Sequence, residues 1–196
     1  MSELKRLLRL SLVSNTRASA FLEKHHPLGK GLGFSFALGF SFALGVFWDA
    51  RLQGVLTWGA PCVNLAVQAY GLRLYDALEL RKMWVSDVPP ANSESRILGV
   101  AVRLVRNQYP HLKMLLTYCD SDEAATAYRA AGWVPQQAHT YSSHVTLADG
   151  QTLSKQAVSK RGGLKNLQVR ETHRVSRRKW VYPLTDGLVV TPVSLP

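Results

Sequence analysis

Cysteine is scarce in this chain, and acidic residues are few. The 196 residues include 2 cysteines, Cys62 and Cys119, which stand singly and in no metal-ligand spacing. That argues against a disulfide-built scaffold and suits two reduced, largely buried thiols of a cytosolic protein. No His-x-x-x-His pair or carboxylate cluster marks a metal site either, so spacing alone leaves any metal unknown. Asp and Glu number 13 against 24 Lys and Arg, a formal net charge of +11. Charged residues are only 19% and apolar ones 46%, which excludes a disordered chain and supplies one domain with a sizeable core.

An unbroken apolar leader is also missing. Arg6 and Arg9 interrupt the N-terminal run, so no secretory signal is expected. Gly31 to Trp48 carries no charge and is long enough to raise the question of a membrane span. It contains a perfect tandem repeat, Gly33-Phe-Ser-Phe-Ala-Leu followed by Gly39-Phe-Ser-Phe-Ala-Leu, and runs on through Val46-Phe-Trp-Asp-Ala-Arg-Leu-Gln-Gly-Val-Leu-Thr-Trp. That pattern reads as strands around a turn near Asp49-Ala50-Arg51, and no membrane contact is expected. The repeat has an even length, so inserting it keeps each later side chain on its own face of a strand. Two units are too few for a solenoid.

Positive charge is concentrated. Gln151 to Tyr182 holds nine basic residues (Lys155, Lys160, Arg161, Lys165, Arg170, Arg174, Arg177, Arg178 and Lys179) against one acid, Glu171, and so supplies +8 of the +11. Broken by Gly162-Gly163 and ended by Trp180 and Tyr182, this segment fits a polyanion surface. Nucleic acid is the foremost partner; an anionic membrane or plain solubility are the alternatives.

Residues 4–13 read as a strand in preference to an amphipathic helix, because Ser11, Asn15 and Thr16 look like a turn and cap. Thr16 to His26 reads as a helix closed by Pro27 and Gly29. Strands follow from about 34 to 60, and Asn64 to Gly71 is ambiguous. Tyr75 to Ser86 is a strand with Leu78, Leu80 and Met83 towards a core, ended by the turn Asp87-Val-Pro-Pro-Ala-Asn92. Ser93 or Ser95 caps the next helix, which carries Ile97, Leu98, Val102 and Val105 at helical spacing up to about Gln108. Leu112 to Tyr118 is a buried strand, Asp122 to Ala131 a short helix, and Gly132-Trp133-Val134 leads into another strand. After about Ala148 the pattern decays, leaving Lys179-Trp-Val-Tyr-Pro-Leu as the only later strand candidate. The order describes an α/β layer with its ligand loop at a strand's C-terminal end. Residues 1–148 form the expected catalytic domain, and residues 149–196 a basic C-terminal segment packed on it.

Arg96-Ile97-Leu98-Gly99-Val100-Ala101 opens a helix after a Pro-rich turn. A helix start offers unpaired N–H groups and a positive dipole end, and Gly99 permits close approach, which suits a pyrophosphate. About thirty residues on comes Ala127-Tyr128-Arg-Ala-Ala-Gly132-Trp133. The loop, the intervening strand and Tyr-x-x-x-Gly-Trp together resemble the acetyl-CoA-binding core of the GNAT N-acetyltransferases. The resemblance implies an α/β (α+β) fold with a mixed, strongly twisted central sheet and flanking helices. It also implies acetyl-CoA or a related acyl-CoA as cofactor, its pyrophosphate held by residues 96–101. Tyr128 then protonates the departing thiolate, or only packs.

Five ordered motifs within residues 16–135 are similar to the Mom proteins of Mu-like bacteriophages. They are Phe21-Leu-Glu-Lys-His25-His26-Pro-Leu-Gly29, Glu79-Leu-Arg81-Lys-Met-Trp-Val, Asn92-Ser93-Glu-Ser95-Arg96, Leu116-Thr-Tyr118-Cys-Asp120 and Tyr128-Arg-Ala-Ala-Gly-Trp. Those GNAT-like enzymes convert DNA adenine to its N6-carbamoylmethyl form and so protect phage DNA from restriction. The segment between Asp120 and Tyr128 is shorter than in that family, and the Gly33–Leu44 duplication is peculiar to this chain. The resemblance implies double-stranded DNA as partner and the bacterial host's cytoplasm as location, with monomer or homodimer left open. It places Arg81, Ser95, Asp120 and Tyr128 at or near positions that matter for activity.

The adenine amine is a poor nucleophile because its lone pair is delocalised, so Asp120 can orient it and accept a proton, or only cap the next helix. Arg81 can hold an anionic donor or a phosphate, and Ser95 can act in the site or merely cap. Of His25 and His26, adjacent on a helix, at most one faces a given site; His26 is the candidate for a substrate or metal contact. A thioester activates its carbonyl carbon, whereas carbamoylmethyl is attached through its methylene. Either the donor is not a plain acyl-CoA or a second activation step follows, for which a metal such as iron is one candidate. Duplex adenine must also be flipped or caught unpaired, and Trp180 or Tyr182 can fill the gap or pack as a strand. An ordinary acyltransferase acting on a protein, tRNA or small amine, and a non-catalytic DNA-binding module, are the rival readings.

Overall fold

Apolar residues form strand β1 (Leu8–Val13), and Ser14 then caps helix α1 (Asn15–His25) by accepting the Arg17 N–H at 3.2 Å. These belong to a computed structural model that describes residues 8–26, 41–62, 65–119, 122–154, 158 and 161–191. Strands β2 (Ser41–Trp48) and β3 (Arg51–Gly59) pair across the turn Asp49-Ala50, where both residues have positive φ (47° and 60°). Two left-handed residues give the turn a twist that matches the strands it joins. The uncharged stretch thus ends as a strand, and its residues 31–40 lie outside the described residues. Among the described residues no helix is long and apolar enough to cross a membrane.

The ambiguous stretch after β3 contains a one-turn helix, α2 (Leu65–Gln68), and β4 (Ala77–Val85) follows. Then come α3 (Ser93–Gln108), β5 (Met114–Cys119), α4 (Asp122–Ala130), β6 (Val134–Leu147), β7 (Thr152–Ser154) and β8 (Val169–Pro183). They make one sheet in the order β1-β2-β3-β4-β5-β8-β6-β7. Only β4 and β5 are parallel neighbours, with α3 as the crossover between them.

The sheet is covered on both faces. On one, Ile97, Leu98, Ala101, Val102 and Val105 of α3 meet Leu56, Trp58, Leu78, Leu80 and Trp180. On the other, Ala18 and Leu22 of α1 cover Ala43 and Val55, while Ala66 and Val67 of α2 cover Met114, Leu116 and Val181. Tyr128 is buried in the α3 face, its ring 5.6 Å from Trp133 and 6.0 Å from Trp180. Gly132 explains that geometry. Its φ of 83° ends α4, and the Trp133 N–H folds back to donate to the Tyr128 carbonyl at 3.0 Å.

The basic segment departs from the reading of residues 179–184 as its sole strand. Two strands form, and β8 runs 15 residues. Its far half lacked an apolar signal because one side of it packs on little and the other faces water. Residues 178–183 of β8 lie between β5 and β6, so the boundary at residue 148 falls inside a single sheet. Residues 169–177 pair with β6 alone and form an arm with its own small core of Val145, Leu147, Leu153, Val158 and Leu167.

Two glycines test this packing with opposite signs. A Cβ on Gly54 would lie 2.7 Å from the Trp84 backbone oxygen, whereas one on Gly99 would meet nothing closer than 4.0 Å. Gly54→Ala is expected to destabilise by about 1–3 kcal/mol, and Gly99→Ala to stabilise by about 0.5–1 kcal/mol through helix propensity. Urea denaturation of both variants checks the pair.

Candidate active site

The β4–β5 ladder holds only from Ala77–Met114 to Leu80–Thr117, although both strands continue. Thr117 terminates it, its hydroxyl donating to the Leu80 carbonyl at 2.8 Å. On the other side, Thr57 pairs with Lys82 but Trp58 pairs with Leu80, so Arg81 is an extra, bulged residue. A bulge bends and twists its strand, and here it coincides with the parting of β4 from β5. It also resets the alternation, which is how Met83 joins Leu78 and Leu80 on the α3 face.

The helix after β4 begins at this same end of the sheet. The sequence reading gave its cap to Ser93 or Ser95; the structure gives it to Asn92, left-handed at φ 64° and making no side-chain cap bond. Both serines point the other way: Ser93 donates to the Pro90 carbonyl at 2.6 Å and Ser95 to the Asn92 carbonyl at 3.0 Å. With no side-chain cap bond at Asn92, the first-turn N–H groups of Glu94 and Ser95 lack a capping acceptor among the described residues. Ile97, Leu98 and Ala101 are fully buried against the sheet, so a ligand here meets the backbone of the preceding turn; Arg96 is exposed, and Gly99 and Val100 are half-buried.

Across the sheet, on the α1/α2 face, polar groups gather beside the parting. Arg81 donates to the Ala60 carbonyl at 2.7 Å, and its buried Nε has no acceptor among the described residues. Gly59 makes room for it, since a Cβ there would lie 2.8 Å from that nitrogen. Glu79, buried on the same strand, accepts the Cys62 N–H at 2.8 Å. Together they fix the chain leaving β3. Burial pushes the Glu79 carboxyl up, opposed by the Cys62 N–H and then by the charges of Arg81 and Arg177. Burial, reinforced by Glu79, pushes the Tyr118 hydroxyl up to about 12, so it remains a proton donor at neutral pH. Lys82 is pulled down, first by burial and then by Arg177.

Sequence reasoning found Arg81 here but missed Glu79, Lys82 and Tyr118 as site groups. The available signal was charge inside apolar strands, as in Ala77-Leu-Glu-Leu. His25 stacks on Trp84 at 5.0 Å; His26 is the helix C-cap, its N–H donating to the Leu22 carbonyl at 2.8 Å. Asp120, Lys155 and Lys160 lie outside the described residues. Lys165, Arg170 and Arg174 are exposed on the arm and its loop, and Arg161 donates to Gln151 at 3.0 Å. Arg178 is half-buried. Lys179 is not on that surface: it is buried, 4.7 Å from the Tyr70 ring, with Nζ donating to the Ala66 carbonyl at 3.4 Å. Trp180 is fully buried and packs as a strand residue. Among the described residues no group of three or more His, Cys, Asp or Glu could hold a metal ion.

A profile of the Mom protein family matches residues 7–187. The chain belongs to the Mom family. The methylcarbamoylase mom of Escherichia phage Mu is 30% identical over 92 residues, 45% of this chain but only 38% of the Mu protein. Solved structures extend the likeness of this Mom family member in three dimensions. A Bacillus subtilis acetyltransferase in complex with CoA matches at TM-score 0.54 and 12% identity, over 91% of this chain and 99% of that one. A probable acetyltransferase from Staphylococcus epidermidis matches at 0.56 and 9%, over 91% and 100%. A Drosophila melanogaster polyamine N-acetyltransferase matches at 0.52 and 10%, over 90% and 99%. The fold is that of the GNAT acetyltransferases, as the sequence motifs implied.

The buried carboxylate gives the site a pH signature. With its folded-state pKa raised above the ordinary 4.5, Glu79 contributes stability that is complete below 4.5 and is lost as pH rises through the folded value. Glu79→Gln removes this dependence, so its melting temperature should decline less than that of wild type between pH 4.5 and neutrality. Thermal melts across a pH series provide the check.

Proposed function

We propose that this Mom family member modifies adenine in DNA at N6, installing a carbamoylmethyl group that shields phage DNA from restriction in the host cytoplasm. The observation that carries the reading is the double role of β8. One end of this strand flanks β5 beside the site; the other is an arm bearing Arg170 and Arg174 in solvent. A duplex gripped by the arm is thereby presented to the parted strands.

The parted strands and the uncapped first turn of α3 fit a CoA-type donor. The backbone of Glu94 and Ser95 would hold its pyrophosphate, with Gly99 leaving the helix surface open. When bound, the cofactor supplies an activated carbon. Base flipping brings the amine from the other face, because N6 is unreachable inside the stack. Glu79 is a buried carboxylate able to take the amine's proton, the role the sequence motifs give to Asp120, while Tyr118 and Tyr128 are the candidate hydroxyl donors. Arg81, fixed against Ala60, presents positive charge to a developing or bound anion.

Expression in bacteria followed by mass spectrometry of digested DNA should reveal a modified adenine. Unmodified adenine from soluble, CoA-binding protein counts against the reading. Acetyl transfer to a protein, tRNA or small amine with DNA untouched would replace it with ordinary acyl transfer; DNA binding without CoA binding or product would leave a binding module. Tyr128→Phe and Asp120→Asn are expected to lower modification by about 10²–10⁴-fold.

The arm has its own test. Replacing Arg170 and Arg174 together by Gln should weaken DNA binding across all sequences and reduce the salt slope of log Kd by about 2. A titration at several salt concentrations that shows an unchanged slope removes the arm from the interface.

A further inference from the structure

We propose that the open face of the His25 imidazole is the stacking surface for the flipped base, with Phe21 and Trp84 as its support. This rests on the adenine reading above and names the residue that holds the base once it has left the duplex. Helix α1 turns Ala18, Phe21 and Leu22 to the sheet, and the next position of that stripe is His25. The stripe reaches β4 at Trp84, which stands opposite the fully buried Val55. Trp84 lies two residues beyond Lys82, about 7 Å along the strand. The rings therefore border the polar cluster on the α1/α2 face, the side from which the acceptor approaches.

Three rings meet at this place. His25 lies 4.6 Å from Phe21 and 5.0 Å from Trp84, tilted by 39° and 28°, while Phe21 and Trp84 are 5.5 Å apart, edge to face. An imidazole sandwiched between its neighbours would hold them at roughly twice a stacking distance. Both supports consequently lie to one side of it. Phe21 and Trp84 are half-buried whereas His25 is exposed, so the second face of the imidazole meets water.

Packing alone does not call for an imidazole here. A leucine would cover Trp84, continue the apolar stripe and favour the helix more. What histidine adds is a flat π-face, propped at a fixed angle on two larger rings. Every base presents such a face, and stacking on a side-chain ring offsets part of the cost of unstacking from the duplex. The other rings considered for the base are committed elsewhere: Trp180 is fully buried, and Tyr182 packs edge-on against Trp133 at 5.8 Å. Stacking supplies affinity, and the choice of adenine falls to groups that meet its edge.

The probe is 2′-deoxyadenosine, titrated into the full chain and followed by proton NMR of the histidine rings, with the His25 signals assigned by their loss in His25→Leu. The expected result is a saturable upfield shift of the His25 ring protons, which lie over the purine. His25→Leu should keep its fold by circular dichroism and bind deoxyadenosine about tenfold more weakly, whereas His25→Phe should restore most of that loss. Wild-type His25 signals that do not move, or His25→Leu binding as well as wild type, overturn the assignment. So does His25→Phe binding as weakly as His25→Leu, because the ring nitrogens and not the face would then hold the ligand. Protein that stacks deoxyadenosine on His25 yet never modifies DNA would sink the adenine reading and leave the stack standing; DNA modified at the wild-type rate by His25→Leu does the reverse.

Discussion

Two parallel strands stop pairing after four residues, and most of what this molecule can do depends on that interruption. The Thr117 hydroxyl takes up the last Leu80 carbonyl, and the Arg81 bulge turns the remainder of β4 towards β3. Leaving strand backbone unpaired inside a sheet is costly unless something else occupies the gap. The interruption therefore has the character of a reserved place. The bulge is also the point at which a charged side chain can sit on a buried face, with Gly59 beneath it and the Ala60 carbonyl at its end.

The two faces of the sheet divide the chemistry. On one, α3 brings an uncapped helix start to the end of β4; on the other, buried and half-buried charges collect around Glu79 and Arg81. Under the proposed function, a reaction in the gap would draw one reactant from each side. The same division separates Tyr128, packed with Trp133 and Trp180 beneath α4, from Tyr118, which shares the polar face with Glu79.

Much of this was legible from sequence where a local rule decides. The Asp49-Ala50 turn, the apolar spacing of α3 and the Tyr-x-x-x-Gly-Trp helix end each follow from short-range stereochemistry, and each was readable. The cap of α3 differs from the reading because two serines closely follow a position that an asparagine takes by adopting a left-handed backbone, a choice set by the loop and not by capping preference. The length of β8 was hidden because an arm with little to bury carries little periodicity. Glu79, Lys82 and Arg177 came together only through strand order, since β8 enters the sheet between β5 and β6. No spacing along the chain reports such a neighbour.

The continuity of β8 also limits how the arm can diverge. Its inner half is locked by Val181, Trp180 and Lys179, each committed to one side of the sheet. Strand side chains alternate, so adding or removing one residue beyond Lys179 would carry every outer cation to the opposite side. Length can therefore drift in pairs of residues, or singly only where an irregularity absorbs the step, as the shift opposite Thr146 and Leu147 already does. An arm built this way can be extended or shortened over evolutionary time while its charges keep their heading, much as a hinged ruler is lengthened by whole folds.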